Sequence, residues 1–111
     1  MNIYSGNDDQ LLPVLSLGGL GVISVISNIA PKKYGEIIKS FWSGNISKAT
    51  KLQLESIPLI NSLFSEVNPI PVKKALNIIG YDFGIPRLPL ISLSEENTKE
   101  LEKNMKKYGI I

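Results

Sequence analysis

Cysteine and histidine are both absent from the 111 residues. Without cysteine there can be no disulfide and no thiolate metal site, which fits a reducing compartment. Without histidine the commonest general base and the commonest metal ligand are missing, so Ser-His-Asp chemistry and His-ligated zinc are excluded. Arginine and tryptophan occur once each, at Arg87 and Trp42. Neither sign of charge dominates: Lys and Arg number 12 against 10 Asp and Glu, and a net charge of +2 is too small to indicate a nucleic-acid partner. No apolar run reaches the roughly 18 residues of a membrane span, and the N-terminus lacks the basic start and cleavage site of a signal peptide. The chain is therefore expected to be soluble and cytoplasmic, with no membrane partner.

What is present can fill an interior, since 43% of residues are hydrophobic against 20% charged. The stretch from Ile3 to Asn28 reads as strand, tight turn, helix and second strand, one βαβ unit of about minimal length. Ile3, Tyr4 and Ser5 are β-compatible, and Gly6 is expected to permit a sharp turn that a side chain would obstruct. Asn7 is then the helix cap with Gln10 closing a capping box, and Asp8 and Asp9 lie on the positive end of the helix dipole. A tight, capped βα turn is favoured here over an anion-binding turn, and two adjacent carboxylates are a poor metal signal. Gly18 and Gly19 end the helix. The run from Gly21 to Ile26 is apolar and β-branched with little alternation, the pattern of a parallel strand covered on both faces.

Helices should dominate the rest of the chain. Pro31 suits the first turn of a helix running to about Ser43, with Tyr34, Ile37, Ile38, Phe41 and Trp42 on one apolar stripe and Gly44 as the stop. Trp42 and Phe41 are read as core rather than as a stacking platform. Asn45 caps a longer helix to about Glu66, with Ile46, Ala49, Ile57, Ile60, Leu63 and Phe64 on its apolar side, widened by Leu52 and Leu59. Pro58 lies inside it and should kink it. Asn68 is expected to cap a fourth helix that carries Pro69 and Pro71 in its first turn, buries Val72, Ala75, Leu76 and Ile79, and stops at Gly80. Lys73 and Lys74 on it are read as a solvated face. The segment from Tyr81 to Leu93, extended by Pro86 and Pro89, is expected to lie along a core surface with Arg87 as an anchor. Ser94 caps the last helix, whose Leu101, Met105 and Tyr108 face inward.

Four motifs, YSGNDD with LGGLGVISV, then NPIPVKKAL, RLPL and a terminal KKYGII, resemble the dihydrodipicolinate synthase family of pyruvate-dependent aldolases in order and spacing across nearly all 111 residues. N-acetylneuraminate lyase shares that fold, and NPIPVK favours the synthase. The resemblance implies an α/β fold, a (β/α)8 barrel with a helical C-terminal domain, of which this chain matches only the end because a barrel takes roughly 250 residues. Residues 1–44 would be the last two βα units of the barrel and 45–111 a C-terminal three-helix domain. The fragment itself would be mostly helical with two short parallel strands.

In the intact family enzyme a barrel lysine forms a Schiff base with pyruvate, which then adds aspartate semialdehyde, while a tyrosine relays protons and an arginine grips the second substrate. The resemblance places those three residues on earlier strands and loops, so no catalytic residue carries over. Two substrate-binding positions do: Gly6 at the end of the seventh barrel strand and Ile23 on the eighth. No cofactor and no metal is implied. The basic residues other than Arg87 are lysines in helices among polar neighbours, where nothing would depress an ammonium pKa as a Schiff-base lysine requires. The chain alone is accordingly expected to be inactive. The competing readings are a fragment of another pyruvate aldolase, such as N-acetylneuraminate lyase, and a non-catalytic module that self-associates as a homo-oligomer through its unpaired strand edges.

Overall fold

The computed structural model describes residues 1–111. Two short strands, β1 (Tyr4–Ser5) and β2 (Gly21–Val22), and five helices, α1 (Leu11–Ser16), α2 (Pro31–Trp42), α3 (Ile46–Leu63), α4 (Ile70–Ile79) and α5 (Glu95–Tyr108), make up its regular structure. Two 3-10 turns, at Asp8–Gln10 and Ile26–Asn28, lead into α1 and towards α2. By internal packing the chain forms two compact units, Met1–Ile57 and Pro58–Ile111.

The first unit is built on the βαβ connection read from the sequence. β1 and β2 are parallel, with Tyr4 opposite Gly21 and Ser5 opposite Val22. The pairing continues past both ends, since the Leu20 N–H donates to the Ile3 carbonyl at 2.8 Å and the Ile23 N–H to the Ser5 carbonyl at 2.9 Å. The second strand is shorter than the apolar run from Gly21 to Ile26 suggested. It stops at Val22, and Val25 and Ile26 turn away because their N–H groups are taken by a side-chain acceptor, the Asp8 carboxylate, rather than by a neighbouring strand. Ile26 is buried completely as a result, whereas Ile23 is 75% exposed.

α1 begins through the 3-10 turn rather than a capping box. Asn7 makes no side-chain cap. The Ser5 hydroxyl instead braces the residue before the turn, accepting the Asn7 N–H at 3.1 Å and donating to the Asn7 carbonyl at 2.8 Å. Gly18 closes the helix with a φ of 91°, and the Gly19 N–H donates to the Val14 carbonyl at 2.8 Å. Leu11 and Leu15, four residues apart, bury the inner face. In α2, Pro31 stands at the first turn and Tyr34, Ile37 and Ser40 are buried. Trp42 is 59% exposed, contrary to its assignment to the core. The buried face advances in steps of three through Ser40, which carries Trp42 around to solvent, where its ring meets Phe41 edge-on at 5.3 Å.

The Asn45 side chain caps α3 by accepting the Lys48 N–H at 3.1 Å. Its buried face in the first unit is Ala49, Gln53 and Ser56, more polar than the apolar pattern implied, and Ile46 is exposed. In the second unit α3 continues with Pro58 inside the helix and Leu59, Ile60 and Leu63 buried. It ends at Leu63, so Phe64 falls beyond it and is exposed. Pro69, not Asn68, occupies the cap position of α4, with no side-chain cap bond, and Pro71 lies in the first turn. Ile70, Val72 and Ala75 are buried, and Gly80 at φ 115° terminates the helix.

The segment after Gly80 does not lie along a core surface: Tyr81, Phe83, Ile85, Leu88 and Ile91 are all exposed. Its path is set by backbone capture. The Asn77 side chain donates to the Gly84 carbonyl at 2.8 Å and accepts the Phe83 N–H at 2.9 Å, and only Pro86, Leu90 and Leu93 of the segment's apolar side chains are half-buried. The last helix follows its sequence closely. Ser94 caps α5 by accepting the Asn97 N–H, and Leu101, Met105 and Tyr108 are buried. Asn104 joins them, donating to the Ser62 hydroxyl at 2.7 Å.

Candidate functional site

The two residues singled out by the resemblance both lie at the carboxyl end of the parallel strand pair. Gly6 and Ile23 directly follow the paired residues Ser5 and Val22, and the Ile23 N–H donates to the Ser5 carbonyl at 2.9 Å. Both positions face open space: Ile23 is largely exposed, and a Cβ built on Gly6 would meet nothing within 4 Å. Gly6 also lies outside the positive-φ glycines. A side chain at Gly6 would therefore not obstruct the turn, contrary to the sequence expectation.

Asp8 is the residue around which this end of the unit is built. Read from sequence as one of two carboxylates at a helix dipole, it is instead 1% exposed and turned inward, while Asp9 stays exposed. Its Oδ2 accepts the N–H groups of Val25 and Ile26, each at 3.0 Å. One carboxylate oxygen thus ties the segment after β2 to the turn after β1. Asp8 is itself fixed through its backbone carbonyl, which accepts the Tyr34 hydroxyl at 2.6 Å and the Gln53 side-chain amide at 3.2 Å. Gln53 also accepts the Leu12 N–H at 3.0 Å, supplying one of the partners that the first turn of α1 lacks.

Sequence reasoning missed Asp8 and Gln53 for different reasons. Nothing in the string SGNDD separates Asp8 from Asp9; only the return of the chain at Val25 does. Gln53 did leave a signal, a polar side chain four residues after Ala49 on an apolar stripe, where an unpaired amide would be costly. Tyr34 was placed correctly on its stripe, but its hydroxyl partner is a tertiary matter.

The chemistry available at this end is backbone chemistry. Gly6 and Ile23 are exposed there, and the hydroxyls of the neighbouring Ser5 and Ser24 are engaged in local hydrogen bonds. Every lysine lies in α2, α3, α4 or α5, none on a strand or at a strand end. No group of three or more carboxylates is arranged to hold a metal ion. In the second unit Glu66 accepts the Ser94 N–H, the Ser94 hydroxyl and the Asn97 side chain. The Asn97 amide, followed by the Ser94 N–H, holds its carboxyl below the usual carboxylate range. That is a helix-entry clamp rather than a reactive group. No helix is long and apolar enough to cross a membrane.

Comparison with known proteins agrees with the resemblance. A profile described as the Dihydrodipicolinate synthetase family matches residues 1–108. The 4-hydroxy-tetrahydrodipicolinate synthase of Caldicellulosiruptor bescii is 53% identical over 110 residues, covering 99% of this chain and 37% of that protein. Among solved structures, dihydrodipicolinate synthase from Thermotoga maritima superposes with a TM-score of 0.96 at 43% identity, over 99% of this chain and 37% of that one. The chloride-inhibited enzyme from Acinetobacter baumannii, complexed with pyruvate, gives 0.92 at 42% identity over 100% and 38%. The chain thus spans little more than a third of the length of the curated relatives it matches, and its two strands and five helices are the C-terminal part of a barrel enzyme and its helical extension. By its match over residues 1–108, the chain belongs to the dihydrodipicolinate synthetase family.

Proposed function

We propose that these residues are the portion of a 4-hydroxy-tetrahydrodipicolinate synthase that contributes Gly6 and Ile23 to the wall of a pyruvate pocket. The Schiff-base lysine, the proton-relaying tyrosine and the arginine that grips aspartate semialdehyde belong to the part of the enzyme outside these residues. The observation that supports this reading is that Gly6 and Ile23 directly follow the paired Ser5 and Val22 at the carboxyl end of a parallel strand pair, the end at which barrel enzymes place their chemistry. Residues 1–44 then supply the last two barrel units and 45–111 the helical C-terminal domain, in a cytoplasmic biosynthetic lyase that uses no metal or cofactor. The chain alone forms no imine with pyruvate, because its lysines stand on helices rather than in an apolar strand that would favour the free amine.

A graft tests the reading: these 111 residues replace the matching 110 of the Caldicellulosiruptor bescii enzyme. Retained condensation of pyruvate with aspartate semialdehyde is the expected result, and a folded but inactive graft counts against it. The second reading, a self-associating module, is favoured by Ile3, Tyr4, Leu20 and Ile23, which are exposed on and beside a strand pair with unpaired outer edges.

A further inference from the structure

We infer that Asp8 is a positioning residue for the pyruvate pocket, acting through the backbone of the segment that carries Ile23. The inference rests on the proposed function and adds to it a residue that touches no substrate. Ile23 is held from both sides. Its own N–H is bound to the Ser5 carbonyl at 2.9 Å, and two and three residues later Val25 and Ile26 give their N–H groups to Asp8 Oδ2 at 3.0 Å each. Because Asp8 follows Gly6 by two residues, this one carboxylate couples the Gly6 turn to the Ile23 segment, the two backbones that would face the substrate. The segment leaves the sheet at Val22, so no ladder holds it beyond Ile23. Asp8 can act as an anchor because its carbonyl is bound by Tyr34 and Gln53, both nearly fully buried.

The identity of the side chain supports the same conclusion. Asp8 Oδ1 is buried without a hydrogen-bond partner. An asparagine could present one carbonyl oxygen to the same two N–H groups, but its NH2 would then lie unpaired where Oδ1 now sits, so the amide does not relieve that site. What the carboxylate adds is the strength of charge-assisted hydrogen bonds to Val25 and Ile26, and so a stiffer hold on Ile23.

Two measurements test this. In the 111-residue chain, Asp8→Ala should raise amide hydrogen exchange at Val25 and Ile26, read by NMR, while Asp9→Asn leaves it unchanged. In the graft, Asp8→Ala should raise KM for pyruvate by on the order of 10-fold to 100-fold, the scale of a small misplacement of a binding group, with a much smaller change in kcat. Asp8→Asn keeps an acceptor in place and should recover most of that loss, leaving a KM raised about two- to fivefold by the weaker neutral bonds. If Asp8→Ala does not fold, Asp8→Asn carries the test, and an unchanged KM together with unchanged exchange overturns the inference. So does an active graft whose KM is insensitive to Asp8→Ala, or one in which Asp9→Asn does equal damage. A graft inactive with Asp8 intact overturns the functional reading instead, and the pocket role of Asp8 with it.

Discussion

Gly19 shows how much a single missing Cβ can matter in this fold. A methyl group built there would overlap the Val14 side chain and stand 2.8 Å from the Val14 carbonyl, an oxygen that already accepts the Gly19 N–H. Backbone cannot yield as a side-chain tip does, so Gly19→Ala should destabilise the chain by about 1–3 kcal/mol, measured by chemical denaturation. Gly6 is the opposite case. Nothing lies within 4 Å of its absent Cβ, so Gly6→Ala should leave stability nearly unchanged in the same experiment. Tyr34→Phe removes the 2.6 Å bond to the Asp8 carbonyl but leaves Gln53 on that oxygen, so a loss of about 1 kcal/mol is expected. Sequence pointed to Gly6 and Ile23 through a resemblance, whereas the residue that holds them together, Asp8, looks in sequence like its neighbour Asp9. Which of the two carboxylates turns inward depends on peptide groups seventeen and eighteen residues further on.

At the scale of elements, the helices were legible and the ends of the strands were not. α5 carries its own instructions: Ser94 at the cap, Glu95 and Glu96 in the first turn, Lys106 and Lys107 in the last, and Gly109 at φ 82° as the stop. Ser94→Ala should cost about 1 kcal/mol of stability. Tertiary structure adds Glu66, whose three hydrogen bonds to Ser94 and Asn97 bring its carboxyl below the ordinary range. A depressed folded-state pKa means that the stabilisation is fully present above the unfolded-state value and is lost as pH falls through the lowered one. The amide signals of Ser94 and Asn97 should therefore shift with acidification in the wild-type chain and lose that step in Glu66→Gln. β2 fails as a sequence reading for a related reason. The run from Gly21 to Ile26 has the composition of a buried strand, but strand length is decided by what N–H groups can pair with, and past Ile23 the partner is a carboxylate.

On the scale of the whole molecule, the lysines and the bare strand edges make separate statements. Borohydride reduction of the chain with pyruvate should leave its mass unchanged, since no lysine stands at a strand end; an added pyruvate mass on any side chain would sink that expectation. Residues 1–31 contain only Asp8 and Asp9 as charged side chains, and Asp8 is buried. Strand edges are ordinarily protected by charge or cover. Light scattering at micromolar concentration should thus report self-association, and substituting Tyr4→Lys on the exposed strand should reduce it; a stable monomer counts against the module reading.

The amino-acid sequence by itself determined which segments are helical, the caps Asn45 and Ser94, the glycine stops after α1, α2 and α4, that two strands run parallel, and the family, because these depend on local spacing and on motifs. Only the tertiary structure decided that Asp8 turns inward, that Trp42, Tyr81, Phe83, Ile85, Leu88 and Ile91 face solvent, and that β2 ends at Val22. Each of those outcomes turns on a hydrogen-bond partner or a packing neighbour brought from elsewhere in the chain, which no local pattern of residues encodes.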